Sequence, residues 1–277
     1  MDKKEIGSIT AKGGFSNEKD IVKKFNNWKN DKTAQEWLKI MGYKVEKLNS
    51  VEAFQIPLRI KKEDISKFNV SEEEYYEFVK FKKADAQIRI FIKIGNIVKI
   101  ENISFKKANS NANKNQVDKR SVESYKEIWG FDDEIAFWLK LFTGEIIPKN
   151  VKSQIINIKQ RESRRLFLDE MPEEIQSKII TFFKNNKILI LSDILKGRGG
   201  LSADWLLVTR NNIVINSTSW ILKNINITMN FFGQGEVKVS PKGSLSIGKV
   251  TMQRKGGTPD PTKLQFYIKP LDIFELE

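Results

Sequence analysis

The chain of 277 residues contains no cysteine and no histidine. This absence excludes disulfides, thiolate nucleophiles, imidazole acid–base catalysis and the usual zinc sites. Any hydrolytic chemistry must therefore rest on carboxylates, lysine and hydroxyl groups. The cation that suits such oxygen ligands is a hard one such as Mg²⁺.

Long hydrophobic runs are also missing. No stretch approaches the roughly 20 apolar residues that a membrane span requires, and the first residues, MDKKEIGSIT, lack the apolar core of a signal peptide. We therefore expect a soluble, cytoplasmic prokaryotic protein without a membrane partner.

Negative charge is scarce relative to positive charge. The chain has 35 Asp and Glu against 48 Lys and Arg, which gives a net charge of +13. Such an excess favours a polyanionic partner, because each neutralised phosphate releases a condensed counterion. The alternative is a lysine-biased, AT-rich genome that raises the lysine content everywhere.

Two β-rich segments flank a dipeptide that suits a tight turn. In Ala84–Ile94, isoleucine alternates with other residues at every second position, which predicts a strand. Gly95-Asn96 follows, and both of these residues tolerate positive φ. A second β-rich segment, Ile97–Lys106, completes a predicted β-hairpin.

The hairpin register predicts a cluster of polar side chains. If the loop is only Gly95-Asn96, then Asp85 faces Lys106 and Gln87 faces Ser104, with all four side chains on one face. An ordinary cross-strand ion pair between Asp85 and Lys106 is the alternative. On spacing alone, that structural interpretation is favoured.

Residues 16–30 have the pattern of a capped amphipathic helix. An apolar stripe of Ile21, Val22, Phe25 and Trp28 follows acidic residues in the first turn. Glu18 projects from the buried side of this helix, so its carboxylate needs a cation or a hydrogen-bond donor. Further helices are predicted at residues 33–41, 71–81 and 172–187.

The order of elements predicts one mixed α/β domain over residues 1–277. Asp85 and Lys106 beside a second carboxylate, Glu18, would suit metal-assisted phosphodiester hydrolysis. This is the arrangement of the PD-(D/E)XK nuclease fold, in which helices flank a central mixed sheet. The segment Lys83-Ala84-Asp85 with Ser104-Phe105-Lys106 resembles a degenerate form of its motif.

A closer resemblance runs along most of the chain. Short segments match, in order, the HinP-type restriction endonucleases that cut GCGC, and the strand 83–89 is also similar to that of the CCGG-cutting MspI type. The matches cover most of residues 5–45 and 82–277, whereas about 50–81 forms an unmatched insertion. The matching segments are GS at 7–8, TAK at 10–12, GF at 14–15, NEKDI at 17–21, NQVDK at 115–119, W at 129, FDD at 131–133, FTGE at 142–145, DIL at 193–195, GRG at 197–199, WIL at 220–222, NIN at 224–226, QRKGG at 253–257 and LQF at 264–266.

The resemblance implies roles for the hairpin residues. Asp85 would be the metal-binding aspartate and Lys106 the catalytic lysine, while Glu18 and Phe105 would be further ligands of Mg²⁺. Ser104 would complete the catalytic group. It departs from the pattern, since the general fold has Asp or Glu there and these relatives have Gln or Asn. A neutral serine is a weak ligand for Mg²⁺, so it would act through a water or leave more of the work to Glu18.

The resemblance and the residue chemistry also imply a DNA-reading surface. Lysine and arginine donate to guanine O6 and N7, and Asp118 could accept from cytosine N4. Arg198 and Lys263 would contact phosphates, which positions the protein without reading sequence. The other expected DNA-binding residues are Asn115, Gln116, Lys119, Gln253, Arg254, Lys255 and Gln265.

The leading interpretation is a Mg²⁺-dependent type II restriction endonuclease that cuts double-stranded DNA at a short GC-only palindrome, GCGC, as G^CGC with a 5′ overhang. Two alternatives stay open, namely a structure-specific repair or recombination nuclease and a DNA-binding protein with weakened catalysis. Residues 1–145 would carry the catalytic hairpin, and 146–277 would complete the fold and much of the DNA surface. A cognate DNA methyltransferase would be the functional partner of a monomer or weak homodimer.

Overall fold

The computed structural model describes residues 18–68, 70–92, 97–109, 114–155, 158–212, 217–254 and 263–277. Unit A takes its described residues from Met1–Asn113, Leu195–Met229 and Pro270–Glu277, and unit B takes its residues from Lys114–Ile194 and Asn230–Lys269. The expectation of one nuclease domain over 1–277 stays a prediction. No helix in this described part is long and apolar enough to cross a membrane.

The described chain contains both helices and strands, in mixed order. The helices are α1 at 18–26, α2 Lys32–Ile40, α3 Glu72–Phe78, α4 Val122–Trp129, α5 Asp133–Thr143, α6 Glu173–Asn185, α7 Lys187–Leu191 and α8 Ile225–Gly233. The strands are β1 Leu48–Gln55, β2 Ala86–Ile92, β3 Val98–Asn109, β4 Asn115–Ser121, β5 Trp205–Asn212, β6 Ser217–Asn224, β7 Val237–Val239, β8 Leu245–Ile247, β9 Val250–Arg254 and β10 Lys263–Ile268.

Unit A is built on a mixed sheet with the strand order β1-β2-β3-β5-β6. β3 and β5 run parallel, and every other neighbouring pair is antiparallel. On one face, Ala86 and Ile88 of β2 and Ile103 of β3 are fully buried in the same cluster as side chains of α1 and α2. Helices therefore cover a central mixed sheet, and the predicted α/β fold class is confirmed.

Helix α1 is fixed to the sheet by both apolar and polar contacts. Phe25 is fully buried and packs with Trp37 of α2 at a ring-centroid distance of 5.1 Å. The side chain of Asn26 donates to the backbone oxygen of Ala53 at 3.0 Å and accepts from its nitrogen at 2.7 Å. Because β1 is an edge strand, this amide satisfies backbone groups that no other strand pairs.

Unit B contains an antiparallel sheet with the order β4-β10-β9-β8-β7. Its core is aromatic: Tyr125 stacks on Trp129 at 4.3 Å, and Phe266 of β10 meets both rings edge-on. The indole nitrogen of Trp129 donates to the buried carboxylate of Asp193 at 2.7 Å. This contact satisfies the indole N–H, which a purely apolar core would leave unpaired.

Helix predictions from local pattern are confirmed within about two residues for α2 and α6. The expected 71–81 helix is confirmed as α3 up to Phe78, and its last three residues form instead the 3₁₀ turn Val79–Phe81.

The two strands of the predicted hairpin pair antiparallel, but the predicted register is wrong by two residues. The predicted Gly95-Asn96 turn lies outside the described residues. Gln87 pairs with Asn102, so opposite residue numbers sum to 189 (87 + 102) and not to 191. A turn dipeptide alone does not fix the pairing register. Because the error is an even number of residues, the side chains of Asp85, Ser104 and Lys106 still share one face.

Candidate active site

Asp85 lies immediately before β2, where the sheet backbone holds it from both sides. Its nitrogen donates to Ile103 at 2.8 Å, and its oxygen accepts from Ile56 at 3.0 Å. The carboxylate Oδ2 accepts from the backbone nitrogen of Phe105 at 2.6 Å and from the Ser104 hydroxyl at 3.1 Å. These donors set the orientation of the carboxylate before any ligand binds.

Lys106 reaches the same point from β3. Its Nζ donates to the Phe105 carbonyl at 3.0 Å and to Ser104 Oγ at 3.4 Å, and it lies 3.9 Å from Asp85 Oδ2. Its side chain is only 19% exposed. A carboxylate, a hydroxyl and an ammonium group are thus brought together, as the sequence predicts.

Glu18 at the start of α1 belongs to the same electrostatic environment. Gln55 Nε2 donates to its carboxylate at 2.8 Å. Burial raises the pKa of Glu18, the Gln55 hydrogen bond opposes this, and the negative charge of Asp85 raises it further, while Lys106 and Lys82 lower it. A carboxylate raised in pKa by burial and by a second carboxylate is typical of a functional site.

Lys82 is a candidate residue that the sequence reasoning missed. It is partly buried, and burial lowers its pKa although Asp85 and Glu18 both favour its charged form. Among the described residues, it makes no ion pair within 4 Å. The signal in the sequence was its position three residues before Asp85, but a second lysine, Lys83, stands beside it and made the choice ambiguous.

The oxygen atoms of this cluster fit a hard divalent cation. Asp85 and Glu18 offer carboxylates and Phe105 a carbonyl, which are the ligand types that Mg²⁺ prefers. No described residue donates a hydrogen bond to Asp85 Oδ1, which leaves that oxygen free to bind. The described residues contain no group of three Asp or Glu able to hold a metal, so a bound cation would keep several waters.

Two buried amides extend the hydrogen bonding on the same face of the hairpin as the carboxylate. Gln87 Nε2 donates to Phe68 O at 2.9 Å and to Asn102 Oδ1 at 3.3 Å. Asn102 Nδ2 in turn donates to Gly200 O at 2.8 Å. This network ties β2 and β3 to the segments around them, so it stabilises the position of Asp85.

Several of the expected DNA-binding residues lie on one face of the unit B sheet. Gln265 of β10 stands directly opposite Gln253 of β9 and Lys119 of β4. Gln265 is 5% exposed, donates to Gln116 Oε1 at 2.9 Å, and accepts from the Tyr267 hydroxyl at 2.5 Å. In this row the exposed Lys119 and the partly exposed Gln253 can donate to guanine, whereas the buried amide of Gln265 is held by Gln116 and Tyr267.

Asp118 was expected to accept from cytosine, but its position contradicts this role. It lies on the opposite face, is 8% exposed, and accepts from the Tyr125 hydroxyl at 3.0 Å. Arg120 lies 3.3 Å from the same oxygen. The physical reason is strand alternation, which turns Asp118 toward the aromatic core when Lys119 faces outward.

The remaining expected DNA contacts are distributed over both units. Arg254 donates to Glu162 at 3.1 Å in unit B, and Lys263 is exposed at the start of β10. Arg198 belongs to unit A, where its guanidinium lies 5.0 Å from the centre of the Phe81 ring. Asn115 begins β4. Lys255 lies outside the described residues.

Family comparison decides the assignment of the chain. A model of the R.HinP1I restriction endonuclease family matches residues 76–274. The chain belongs to this family. It is accordingly a type II restriction endonuclease, a site-specific deoxyribonuclease. The R.HinP1I match includes Asp85, Ser104 and Lys106, whereas Glu18 lies before it.

A solved structure has the same fold as this R.HinP1I family member. The restriction endonuclease MspI, crystallised in complex with its cognate DNA, superimposes with a TM-score of 0.60 at 14% sequence identity. The similarity covers 96% of this chain and 93% of that chain. Among curated proteins, none matches the chain.

Proposed function

We propose that this R.HinP1I family member cleaves double-stranded DNA at GCGC, as G^CGC with a 5′ overhang, in a Mg²⁺-dependent reaction at the Asp85–Lys106 site. The observation that carries the proposal is the clustering of Asp85, Ser104 and Lys106 within 3.9 Å of one another, in a chain of a restriction endonuclease family. The corresponding structural proposal is a PD-(D/E)XK active site in which serine replaces the second acidic residue.

Asp85, Glu18 and the Phe105 carbonyl would hold Mg²⁺. The cation would supply Lewis-acid stabilisation of the charge that develops on the scissile phosphate. Asp85 keeps its free oxygen, Oδ1, directed by the two hydrogen bonds to Oδ2. The Lys106 ammonium would stabilise the same charge and orient the attacking water, because its side chain is mostly shielded from solvent.

Ser104 has a positioning role in this proposal. It is 4% exposed, donates to Asp85 and accepts from Lys106, so it connects the carboxylate to the ammonium. A neutral hydroxyl adds no charge to the metal site. The negative charge that attracts the cation would therefore come from Asp85 and Glu18.

Base recognition would use the outward row of the unit B sheet. Lys119 can donate to guanine O6 and N7, and the amides of Gln253 and Gln265 can both donate and accept. A GC-only site offers guanine on both strands, which suits these donors.

We also propose that a cognate DNA methyltransferase is the functional partner of this enzyme, and that the enzyme is a monomer or a weak dimer.

The decisive experiment is digestion of a fully sequenced plasmid with and without Mg²⁺, followed by mapping of the fragment ends. We expect discrete fragments whose 5′ ends begin within GCGC, only when Mg²⁺ is present. An Asp85→Asn preparation made in parallel controls for contaminating nucleases. Ends at another sequence would overturn the GCGC proposal, and cuts confined to junctions or nicks would favour a repair nuclease. DNA that is bound but never cut would favour a binding protein without catalysis.

A further inference from the structure

A basic cavity opens in unit B beside the outward row of the sheet. It has a volume of about 870 Å³, and its walls include Lys114, Lys242, Arg165 and Arg254 but no described Asp or Glu. The two arginines share Glu162, at 2.8 Å and 3.1 Å. Among the described residues, the two lysines make no such ion pair, so the described walls of the cavity have an excess of positive charge.

The strand register adds a third lysine to the edge of this cavity. Ile268 of β10 pairs with Asn115 of β4, and the same antiparallel register brings Lys269 opposite Lys114. The pKa of Lys114 is lowered by burial and then by the positive charges of Lys269 and Lys242. Lys114 therefore lies close enough to Lys242 and Lys269 to be repelled by both.

These lysines differ from other lysines of unit B. Lys126 pairs with Asp133 at 2.5 Å, Lys140 with Glu123 at 2.8 Å, and Lys178 with Asp132 at 2.6 Å. Within the described part of the chain, Lys114, Lys242 and Lys269 form no ion pair. Like charges brought together without a carboxylate destabilise the fold, unless an external anion compensates them.

Hydroxyl groups complete the site. The turn that carries Lys242 is closed by a bond from the Ser240 nitrogen to the Ser244 oxygen at 2.7 Å. It presents the two serine hydroxyls to the cavity, 2.8 Å apart. Gly243 has φ +70° there, and a Cβ would lie 2.4 Å from Asp169 Oδ1, so only glycine fits this turn.

The geometry points to a phosphate-binding site, formed by Lys114, Lys242 and Lys269 with the Ser240 and Ser244 hydroxyls, that holds backbone phosphates of the DNA substrate. Lysine is a point charge that binds phosphate without reading sequence. The inference rests on the proposed function only in taking duplex DNA as the substrate. The three lysines would increase the affinity for DNA without contributing to base specificity.

The test is a charge-matched comparison of two triple variants. The first carries Lys114→Gln, Lys242→Gln and Lys269→Gln, and the control carries Lys126→Gln, Lys140→Gln and Lys178→Gln. Binding to short duplexes with and without GCGC is measured by fluorescence anisotropy in EDTA, from about 50 to 200 mM salt. Thermal unfolding of each variant checks that it is folded.

We expect the first triple variant to bind both duplexes about tenfold or more weakly, with an unchanged ratio between them. The slope of log affinity against log salt should fall by roughly one per lysine removed from a phosphate. The control should keep the wild-type slope, because its lysines are already neutralised by carboxylates. The first variant should also unfold at no lower temperature than wild type, since it loses only repulsion.

An unchanged salt slope in the first variant, or an equal loss in the control, would overturn the inference. A loss confined to the GCGC duplex would also overturn it and would assign these lysines to base reading. Plasmid cleavage separates this result from the proposed function. Wild-type cutting at GCGC combined with an unchanged slope rejects the phosphate site alone, whereas a reduced slope without GCGC cutting rejects the recognition proposal alone.

Discussion

At the residue scale, Asp85 and Lys106 are the groups whose loss should stop chemistry while leaving binding intact. Asp85→Asn keeps the shape and the hydrogen bond from Phe105 but removes the charge, and Lys106→Gln removes the ammonium. We expect each to lower the single-turnover cleavage rate by at least roughly a hundredfold. Anisotropy without Mg²⁺ should show DNA affinity within about twofold to threefold of wild type. Near-wild-type cleavage by either variant would reject the assignment.

Ser104 should matter less, because its neutral hydroxyl makes one hydrogen bond to the Asp85 carboxylate and one long hydrogen bond from the Lys106 ammonium. A hydrogen bond to a charged group contributes about 1.5–3 kcal/mol. We therefore expect Ser104→Ala to lower the cleavage rate by roughly tenfold to a hundredfold, with Mg²⁺ dependence retained. A loss as large as that of Asp85→Asn, measured in the same assay, would show that serine has a direct catalytic role.

Asp204 should make the stability of the protein depend on pH. Its carboxylate accepts from the Asn102 nitrogen at 2.9 Å, and burial raises its pKa above the ordinary 3.8. The folded state then binds this proton more tightly than the unfolded state. Stability is therefore lost as pH rises from the ordinary value through the raised one.

Asp204→Asn removes the carboxyl group and with it this loss of stability at higher pH. We expect the difference in unfolding temperature, variant minus wild type, to become more positive from acidic to neutral pH and then to level off. Thermal unfolding followed by circular dichroism across that range measures it. A difference that stays constant with pH would contradict the expectation.

At the element scale, Gly197 lies close to residues 81–83, the segment that leads into Asp85. Gly197 has φ +79°, and a Cβ there would lie 2.1 Å from the Phe81 carbonyl oxygen and 2.8 Å from Lys83. Gly42 has φ +91°, with nothing within 4 Å of its Cβ position. Both glycines have a positive φ that is strained for any other residue. Only at Gly197 would an added Cβ also overlap neighbouring atoms.

Gly42→Ala should cost about 1–2 kcal/mol, as expected for a left-handed residue. Gly197→Ala should cost at least about 1 kcal/mol more, because backbone must move to relieve the overlap. It should also lower cleavage, since residues 81–83 precede Asp85, the proposed catalytic aspartate. Urea unfolding and cleavage assays on both variants test this, and equal losses would show that the overlap is relieved without cost.

The elements show what local sequence can predict. The alternation in 84–94 and the helical patterns at 33–41 and 71–81 depend on neighbours in sequence, so the paired strands and these helices were predicted. The hairpin register, the burial of Asp118 and the approach of Glu18 to Asp85 depend on pairing between distant segments. A resemblance supplied Glu18, but neither the resemblance nor the pattern singled out Lys82. The unpaired lysines Lys114 and Lys269 meet only through the register of β4 and β10.

At the scale of the whole molecule, the candidate catalytic residues belong to unit A and the outward row of base-reading candidates to unit B. Chemistry and recognition should therefore be separable by mutation. The net charge of +13 gives any duplex an affinity that is independent of sequence, so discrimination must come from a few directed groups. Gln253 is the most useful of these, because its side chain lines the cavity and faces Gln265 across the sheet.

Gln253→Leu keeps a side chain of similar size and removes the amide. We expect it to reduce discrimination between GCGC and a site with one changed base pair by about 1–3 kcal/mol, because one directed contact to a base edge is lost. Asp85→Asn, measured in the same competition binding assay, should keep the wild-type discrimination although it does not cleave. If Gln253→Leu instead weakened binding to both duplexes equally, its amide would contact the backbone, and Lys119 and Gln265 would carry the recognition.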